Sequence, residues 1–278
     1  NRFEPNFGEK RDTFDLDFTV RSGTKKRQRF TWGAGIRTSR GAASEVTSGL
    51  TFVPLTRTDY LLSGFVQDEI AISGDRLTLT LGTKLLRTNF AAFQGEPSAR
   101  LLWTATRAHS FWASYTRAVR TPSRAEHDFF LSGFINTTPD GTPFFARFNA
   151  NPDFRSEQLN GYEAGFRNLL RPNLYVDVAA FHNRYDDLFS QEITGPPFFE
   201  STPGQPHLLL PAQFRNGLYG ATTGYEIAPE WRPAESWRLR GAYSYLAMDL
   251  IGWFVIVVLA FAWLSSGNDG SALCQNMK

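Results

Sequence analysis

The stretch from Arg120 to Gln158 gathers most of the side chains in this 278-residue chain that could hold a ligand. It contains Arg120, Arg124, Glu126, His127, Asp128, Phe129, Phe130, Phe134, Phe144, Phe145, Arg147 and Phe148. Guanidinium groups beside aromatic faces suit an anionic, planar molecule. Arginine supplies charge and forked hydrogen bonds, and phenylalanine supplies a stacking surface. Arg120, Arg124, His127, Phe129, Phe130, Phe144, Phe145 and Arg147 are therefore the candidate binding residues, on what reads as a long surface loop. The plainer account is that loop aromatics pack the loop onto its neighbours while its charges are solvated. Glu126-His127-Asp128 has metal-ligating types, but adjacent residues of one loop rarely converge on an ion, so no metal site is expected.

Catalytic chemistry has less to stand on. His109 and Ser110 are neighbours, and neighbours on a strand point to opposite faces, so they make no Ser-His-acid constellation. No Gly-rich phosphate loop lies between a strand and a helix. Cys274 is the lone cysteine, which excludes an internal disulfide and a cysteine metal site. The four histidines are scattered. Neither enzyme activity nor a cofactor is expected. Lys plus Arg is 29 against 27 Asp plus Glu, a net charge of +2 with no basic cluster, so no nucleic-acid partner is expected.

The candidate loop must be held by strands, because the apolar period along the chain is 2. Phe14, Leu16, Phe18 and Val20 oppose Asp15, Asp17 and Thr19. The same alternation recurs from Phe30 to Arg37, Leu77 to Gly82, Phe111 to Thr116, Tyr162 to Arg167, Leu174 to Ala180, Tyr219 to Ile227 and Trp237 to Tyr245. Less regular strands are expected near Leu61–Ile72 and Ser98–Thr106, about eleven in all before residue 250. Short turns alternate with long connections at Ser39–Thr58, Arg120–Gln158 and Asp186–Asn216. That is the plan of an antiparallel up-and-down transmembrane β-barrel, its long loops outside the cell. Aromatics make up 15% of residues, as aromatic girdles at two membrane interfaces require. A soluble antiparallel sandwich also alternates, but rarely with so many charged and glycine positions facing a row of large apolar ones. Asp15, Asp17, Arg37, Glu163, Arg167, Glu226, Arg238 and Arg240 are expected to face the lumen, as are Glu69 and Lys84.

Several segments then resemble the barrel of TonB-dependent outer-membrane receptors. Phe65-Val-Gln-Asp-Glu-Ile70 with Leu77-Thr-Leu-Thr-Leu-Gly82 is similar to the family's FxQDEx and LxLxxGxR pair. Arg117-Ala-Val-Arg-Thr-Pro-Ser123 resembles the R-x-P-S approach to a loop. Asn151-Pro-Asp-Phe-Arg-Ser-Glu157 with Gly161-Tyr-Glu-Ala-Gly-Phe-Arg167 resembles NPxLxPE and YExGxR. The resemblance covers most of residues 59–249. It implies a barrel of about 22 strands around a plug, in the Gram-negative outer membrane. It implies uptake of a scarce small-molecule ligand such as an iron–siderophore complex, haem, cobalamin or a carbohydrate. Outer-membrane lipid is an implied partner, and the TonB complex another, reached only through a plug that is not evident in these residues.

The chain starts at Asn1 without a leader, and only part of the barrel pattern is present, which favours a receptor fragment: a partial barrel over residues 1–250. From Ile251 to Leu264 the run is continuously apolar, followed by a polar tail over 265–278. It is shorter than the roughly 20 residues of a spanning helix and does not alternate like a barrel strand. A broken reading frame, a membrane-anchoring or interfacial helix, and an unusual buried strand all stay open. A passive pore or surface-binding barrel, and a single-span protein anchored by 251–264, are the alternative functions.

Overall fold

The computed structural model describes residues 2–4, 7–23, 27–45, 49–74, 76–201 and 204–252. Asp75, the run 253–264 and the tail 265–278 lie outside the described residues.

Long antiparallel strands make the wall. They are β2 (Phe7–Arg21), β3 (Gln28–Glu45), β5 (Thr56–Ser73), β6 (Leu77–Thr88), β7 (Gln94–Thr104) and β8 (His109–Arg120). β11 (Glu157–Arg171), β12 (Leu174–Ile193) and β14 (His207–Ala234) continue it. β15 (Trp237–Arg240) and β16 (Tyr243–Gly252) together form a last, interrupted strand on β14. Each wall strand pairs with its neighbour along the chain, as short turns between antiparallel strands dictate. Short pieces complete the sheet: β1 (Arg2–Glu4), β4 (Leu50–Phe52), β9 (Phe129–Thr137), β10 (Pro143–Asn149) and β13 (Phe198–Glu200).

Register explains the alternation. Opposite residues of an antiparallel pair share a face. The series Leu79↔Leu101, Leu101↔Ala113, Ala113↔Ala164, Ala164↔Ala180 and Ala180↔Tyr225 therefore runs along one apolar face. That face is open. Phe14 is 62% exposed and Leu16 56%, and exposed apolar side chains continue on β3, β5 to β8, β11, β14 and β16. A water-soluble protein rarely leaves so large an apolar patch uncovered. Among the described residues no helix is long and apolar enough to cross a membrane, so any crossing is made by strands.

Asp15, Asp17, Arg37, Glu163, Arg167, Glu226, Arg238 and Arg240 all lie on the other face by register. Arg37 Nε donates to Asp15 at 2.8 Å and Arg167 Nε to Asp177 at 3.0 Å. These pairs are half exposed and contribute at most about 1 kcal/mol each. Glu163, Arg167, Asp177 and Glu226 surround a cavity of about 520 Å³ with Trp112 at its side.

That face also carries a repeated device. Phe65, Trp112 and Phe181 each stand directly opposite a glycine, respectively Gly33, Gly165 and Gly224. The ring lies across the neighbouring strand where a Cβ would otherwise stand: a Cβ on Gly165 would meet Trp112 Nε1 at 2.8 Å. The glycines in these alternating runs thus serve as seats for aromatic rings.

The alternation changes earlier than Ile251. In β16, Leu246, Met248 and Leu250 pair with Gly224, Thr222 and Gly220 on the polar face, and Asp249 lies on the apolar one. Ile251 and Gly252 complete β16.

The three expected long loops prove to be largely structured. β3 and β5 stay paired up to Ala42↔Thr56, with β4 between them in sequence. β12 continues past a bulge at Asp187, whose backbone is left-handed with φ 57°, and pairs β14 again as far as Ile193↔Ala212. Bulges of this kind bend a strand without ending it. Arg120–Gln158 holds one helical turn and a hairpin.

Candidate functional site

The segment after β8 begins with α1 (Arg124–Asp128). Ser123 caps it: its Oγ accepts from Ala125 N at 3.2 Å, and the Glu126 carboxylate accepts from Ser123 N at 2.8 Å. This reciprocal box satisfies donors that a helix start leaves orphaned. β9 and β10 follow as an antiparallel hairpin, closed by Thr138–Thr142 around Gly141. β10 then lies parallel to β14, from Phe144↔Leu208 to Asn149↔Gln213, and β9 takes β4 on its other side. The expected loop is therefore a cap of strands, because Phe129–Thr137 and Pro143–Asn149 each find a partner for their backbone groups.

Phe148, Phe154, Ala212 and Phe214 form the buried core of this cap, with Phe129, Leu131 and Phe189 packed against them. Phe129 stacks on Phe214 at 5.8 Å and meets Phe52 of β4 at 5.6 Å. Truncating a buried phenylalanine such as Phe214 typically costs about 3–5 kcal/mol, so the cluster is enough to hold a small sheet.

The three predicted arginines are each engaged within the protein. Arg124 is buried: Nη2 donates to Pro54 O at 2.5 Å and Leu55 O at 2.9 Å, and Nε to Asp128 at 3.4 Å. Arg120 binds both oxygens of Glu157, at 2.6 and 2.8 Å, and Glu126 at 2.9 Å. Arg147 forks onto Glu200 at 2.9 and 2.5 Å and touches Ser132 Oγ at 3.0 Å. His127 lies 4.7 Å from the Phe90 ring, and its Nε2 is buried without a partner. Phe145 stands between Phe134 and His207, at 5.6 and 5.1 Å. Phe130 and Phe144 sit half-buried on β9 and β10. Glu126, His127 and Asp128 turn to different partners, and among the described residues no group of metal-binding side chains converges.

The surface left for a ligand is mainly aromatic. Phe134 is 54% exposed and Phe198 46%, on the face that carries the Arg147–Glu200 pair, and Phe199, 71% exposed, lies on the other face. Phe198 and Phe199 were not among the sequence candidates. The doublet in Pro196-Pro-Phe-Phe-Glu200, at the middle of a long connection, was the available signal.

Protonation bears on how firmly the cap sits. Burial pushes the Glu126 carboxyl up, but hydrogen bonds from Ser123 and Arg120 outweigh it and hold the group below the usual carboxylate range. Burial pushes the His127 imidazole down. Both groups bind a proton more readily when the cap is undone, so their stabilisation is present at higher pH and is lost as pH falls. The cap should loosen below about pH 6.5 as His127 charges, and further below about pH 4.5 as Glu126 protonates. Hydrogen exchange across residues 124–137, corrected for the intrinsic pH dependence of exchange, checks this. Equal protection at about pH 7 and pH 4 would discount the linkage.

A twisted antiparallel wall with an uncovered apolar face, a polar inner row and structured connections at one end defines a transmembrane β-barrel wall. The chain belongs to the TonB-dependent receptor family: it matches the family described as TonB dependent receptor-like, beta-barrel over residues 1–270. Members are non-enzymatic transporters of the Gram-negative outer membrane. The siderophore receptor PirA from Acinetobacter baumannii is similar in structure, with TM-score 0.68 at 14% identity, covering 86% of this chain and 37% of PirA. A Q482A mutant of the ferric enterobactin receptor PfeA from Pseudomonas aeruginosa, in complex with enterobactin, gives TM-score 0.70 at 15% identity, over 87% of this chain and 36% of PfeA. The FrpB iron transporter from Neisseria meningitidis gives 0.62 at 13%, over 89% and 37%. The chain thus spans little more than a third of these receptors. No curated protein matches it.

Proposed function

We propose that this chain supplies part of the wall and part of the outer mouth of a receptor that takes up a scarce ligand of the ferric-siderophore class. The observation that carries the reading is the exposed aromatic pair on one face of the cap, Phe134 and Phe198, flanking Phe145 and Leu209 by register. Such rings offer stacking area to a planar chelate at little entropic cost. The likeness to siderophore receptors supports the ligand class. On this reading the long-connection end faces outward, and the polar face, with Asp15, Asp17, Arg37, Glu163, Arg167 and Glu226, lines the lumen. Arg120, Arg124 and Arg147 shape the mouth, because their donors are already bound to Glu157, Asp128 and Glu200. Energy coupling through TonB falls to other parts of such a receptor.

Outer membranes carrying the protein should retain iron-labelled ferric enterobactin above the level seen with haem or cobalamin. Phe134→Ala with Phe198→Ala should weaken retention roughly tenfold, the size of a lost aromatic anchor. Retention unchanged in that double variant, or equal for all three ligands, defeats the reading.

A further inference from the structure

Strand β13 has little backbone of its own to hold it. Its ladder on β14 is three residue pairs, from Phe198↔Leu209 to Glu200↔His207. Pro196 and Pro197 precede it and have no N–H to give a neighbour. Yet β13 carries Phe198, which completes a row with Leu209 of β14, Phe145 of β10 and Phe134 of β9. Leu208 and Leu209 pair β13 and β10 alike, so β14 lies between those two strands.

One carboxylate ties β13 down. Glu200 accepts a fork from Arg147 of β10, at 2.9 and 2.5 Å, and a bond from His207 Nε2 of β14 at 3.1 Å. Arg147 stands opposite Pro211 and Glu200 opposite His207, so the line joining them crosses β14 over Leu209. Leu209 is 1% exposed although Phe134 and Phe198 in its row are open, as a roof of this kind requires. Arg147 and Glu200 are themselves mostly covered, so water screens the pair less than it would an exposed one. His207 is 8% exposed, and its Nδ1 lies 2.9 Å from Gln205 O. That carbonyl can only accept. The bonds from Arg147 hold the Glu200 carboxyl below the usual carboxylate range, so it too only accepts. The imidazole therefore serves both partners with an N–H on each nitrogen. It fastens the last residue of β13 and the turn before β14 at once.

We propose that His207 is a positioning residue for ligand capture: through Glu200, and together with Arg147, it holds β13 on β14 so that the Phe198 ring completes the row offered to the ligand. His207 itself touches no ligand on this account, since it is buried beneath the clamp. The inference rests on the proposed ferric-siderophore reading and adds to it a residue that acts from below the surface. Glutamine at 207 keeps a donor for Glu200. Alanine leaves β13 to its three ladder pairs and the Arg147 fork.

Two readouts separate the positioning role from the ligand reading. The first is hydrogen exchange without ligand: His207→Ala should raise exchange at residues 198–200 and leave β6 to β8 unchanged. Glu200→Gln loosens the same clamp without altering β14 and should do likewise. The second is retention of iron-labelled ferric enterobactin by outer membranes. It should fall roughly threefold in His207→Ala, as in Phe198→Ala, and no further when the two are combined, because both act through one ring. His207→Gln should restore both readouts. Unchanged exchange at 198–200 in both clamp variants, or a His207→Ala loss that persists undiminished in the Phe198→Ala background, overturns the positioning role alone. An unaltered protein that retains no ferric enterobactin overturns the ligand reading, and the capture role with it.

Discussion

Arg124→Ala should detach the cap from the wall while leaving the wall strands paired. The guanidinium is 7% exposed and serves Pro54 O, Leu55 O, Gly41 O and Asp128 together, with the Phe52 ring 4.9 Å from its centre. Its removal strips two carbonyls of the β3–β5 connection, and that of Gly41 in β3, of a donor. It also leaves Asp128 buried with Arg57 as its remaining cation, at 2.8 Å. Breaking one side of a buried charged pair costs about 3–5 kcal/mol. The loss should be local, because the wall ladders do not pass through this residue. Hydrogen exchange should rise sharply over residues 49–57 and 121–137 and stay unchanged over β6 to β8. Arg155→Ala is the control: its pair with Asp187 is 67% exposed on the arginine side and should matter by less than about 1 kcal/mol. Full protection of the cap in the Arg124 variant would show that the phenylalanine cluster holds it alone.

Gly165→Val should destabilise the wall itself. A Cβ at this position meets Val178 O at 2.5 Å and Trp112 Nε1 at 2.8 Å. The ring can swing aside, but the carbonyl belongs to the β11–β12 ladder and moves only if strands part. Overpacking of this kind costs about 1–3 kcal/mol. Adding Trp112→Ala should recover part of that and not all, since the carbonyl contact persists. Gly64→Ala offers the contrast. Its Cβ finds nothing nearer than Gly33 O at 3.7 Å, and the change should stay within about 0.5 kcal/mol. Urea midpoints followed by far-ultraviolet circular dichroism in detergent measure both. A Gly165 variant as stable as the Gly64 variant would mean that the aromatic seat is unimportant to the sheet.

The wall was legible because its two faces meet different surroundings, so period 2 is written into residue type. Ten wall strands, with β15 and β16 taken as one, stand close to the eleven that the alternation implied. The cap was not legible for a physical reason. Its strands pair around a small cluster of rings rather than along a membrane, so Phe144-Phe145 and Leu208-Leu209-Leu210 are apolar on both sides and carry no period. Ser39–Glu45 is the opposite case: it extends β3 mainly by backbone pairing, with polar and small residues that read as a loop. Ser123-x-x-Glu126 did carry a capping signal that marks a helix start. The candidate arginines were found by type, but type does not reveal whether a partner carboxylate such as Glu157 or Glu200 lies dozens of residues away.

One feature of the cap reaches beyond its own stability. β10 rides on β14 near one side of the wall, and β9 grips β4, which belongs to the β3–β5 connection near the other. The paired strands from β5 round to β14 continue through β10, β9 and β4, and residues 53–55 carry the chain from β4 straight into β5. Together they make a hoop at the long-connection end. A hoop fixes a perimeter, so the aperture it encloses keeps its size however the free margins at β2 and β16 are extended. The shortest ladder of the hoop is that of β4 on β9, three residue pairs at Leu50–Phe52, so the hoop is expected to part there before the wall stretches.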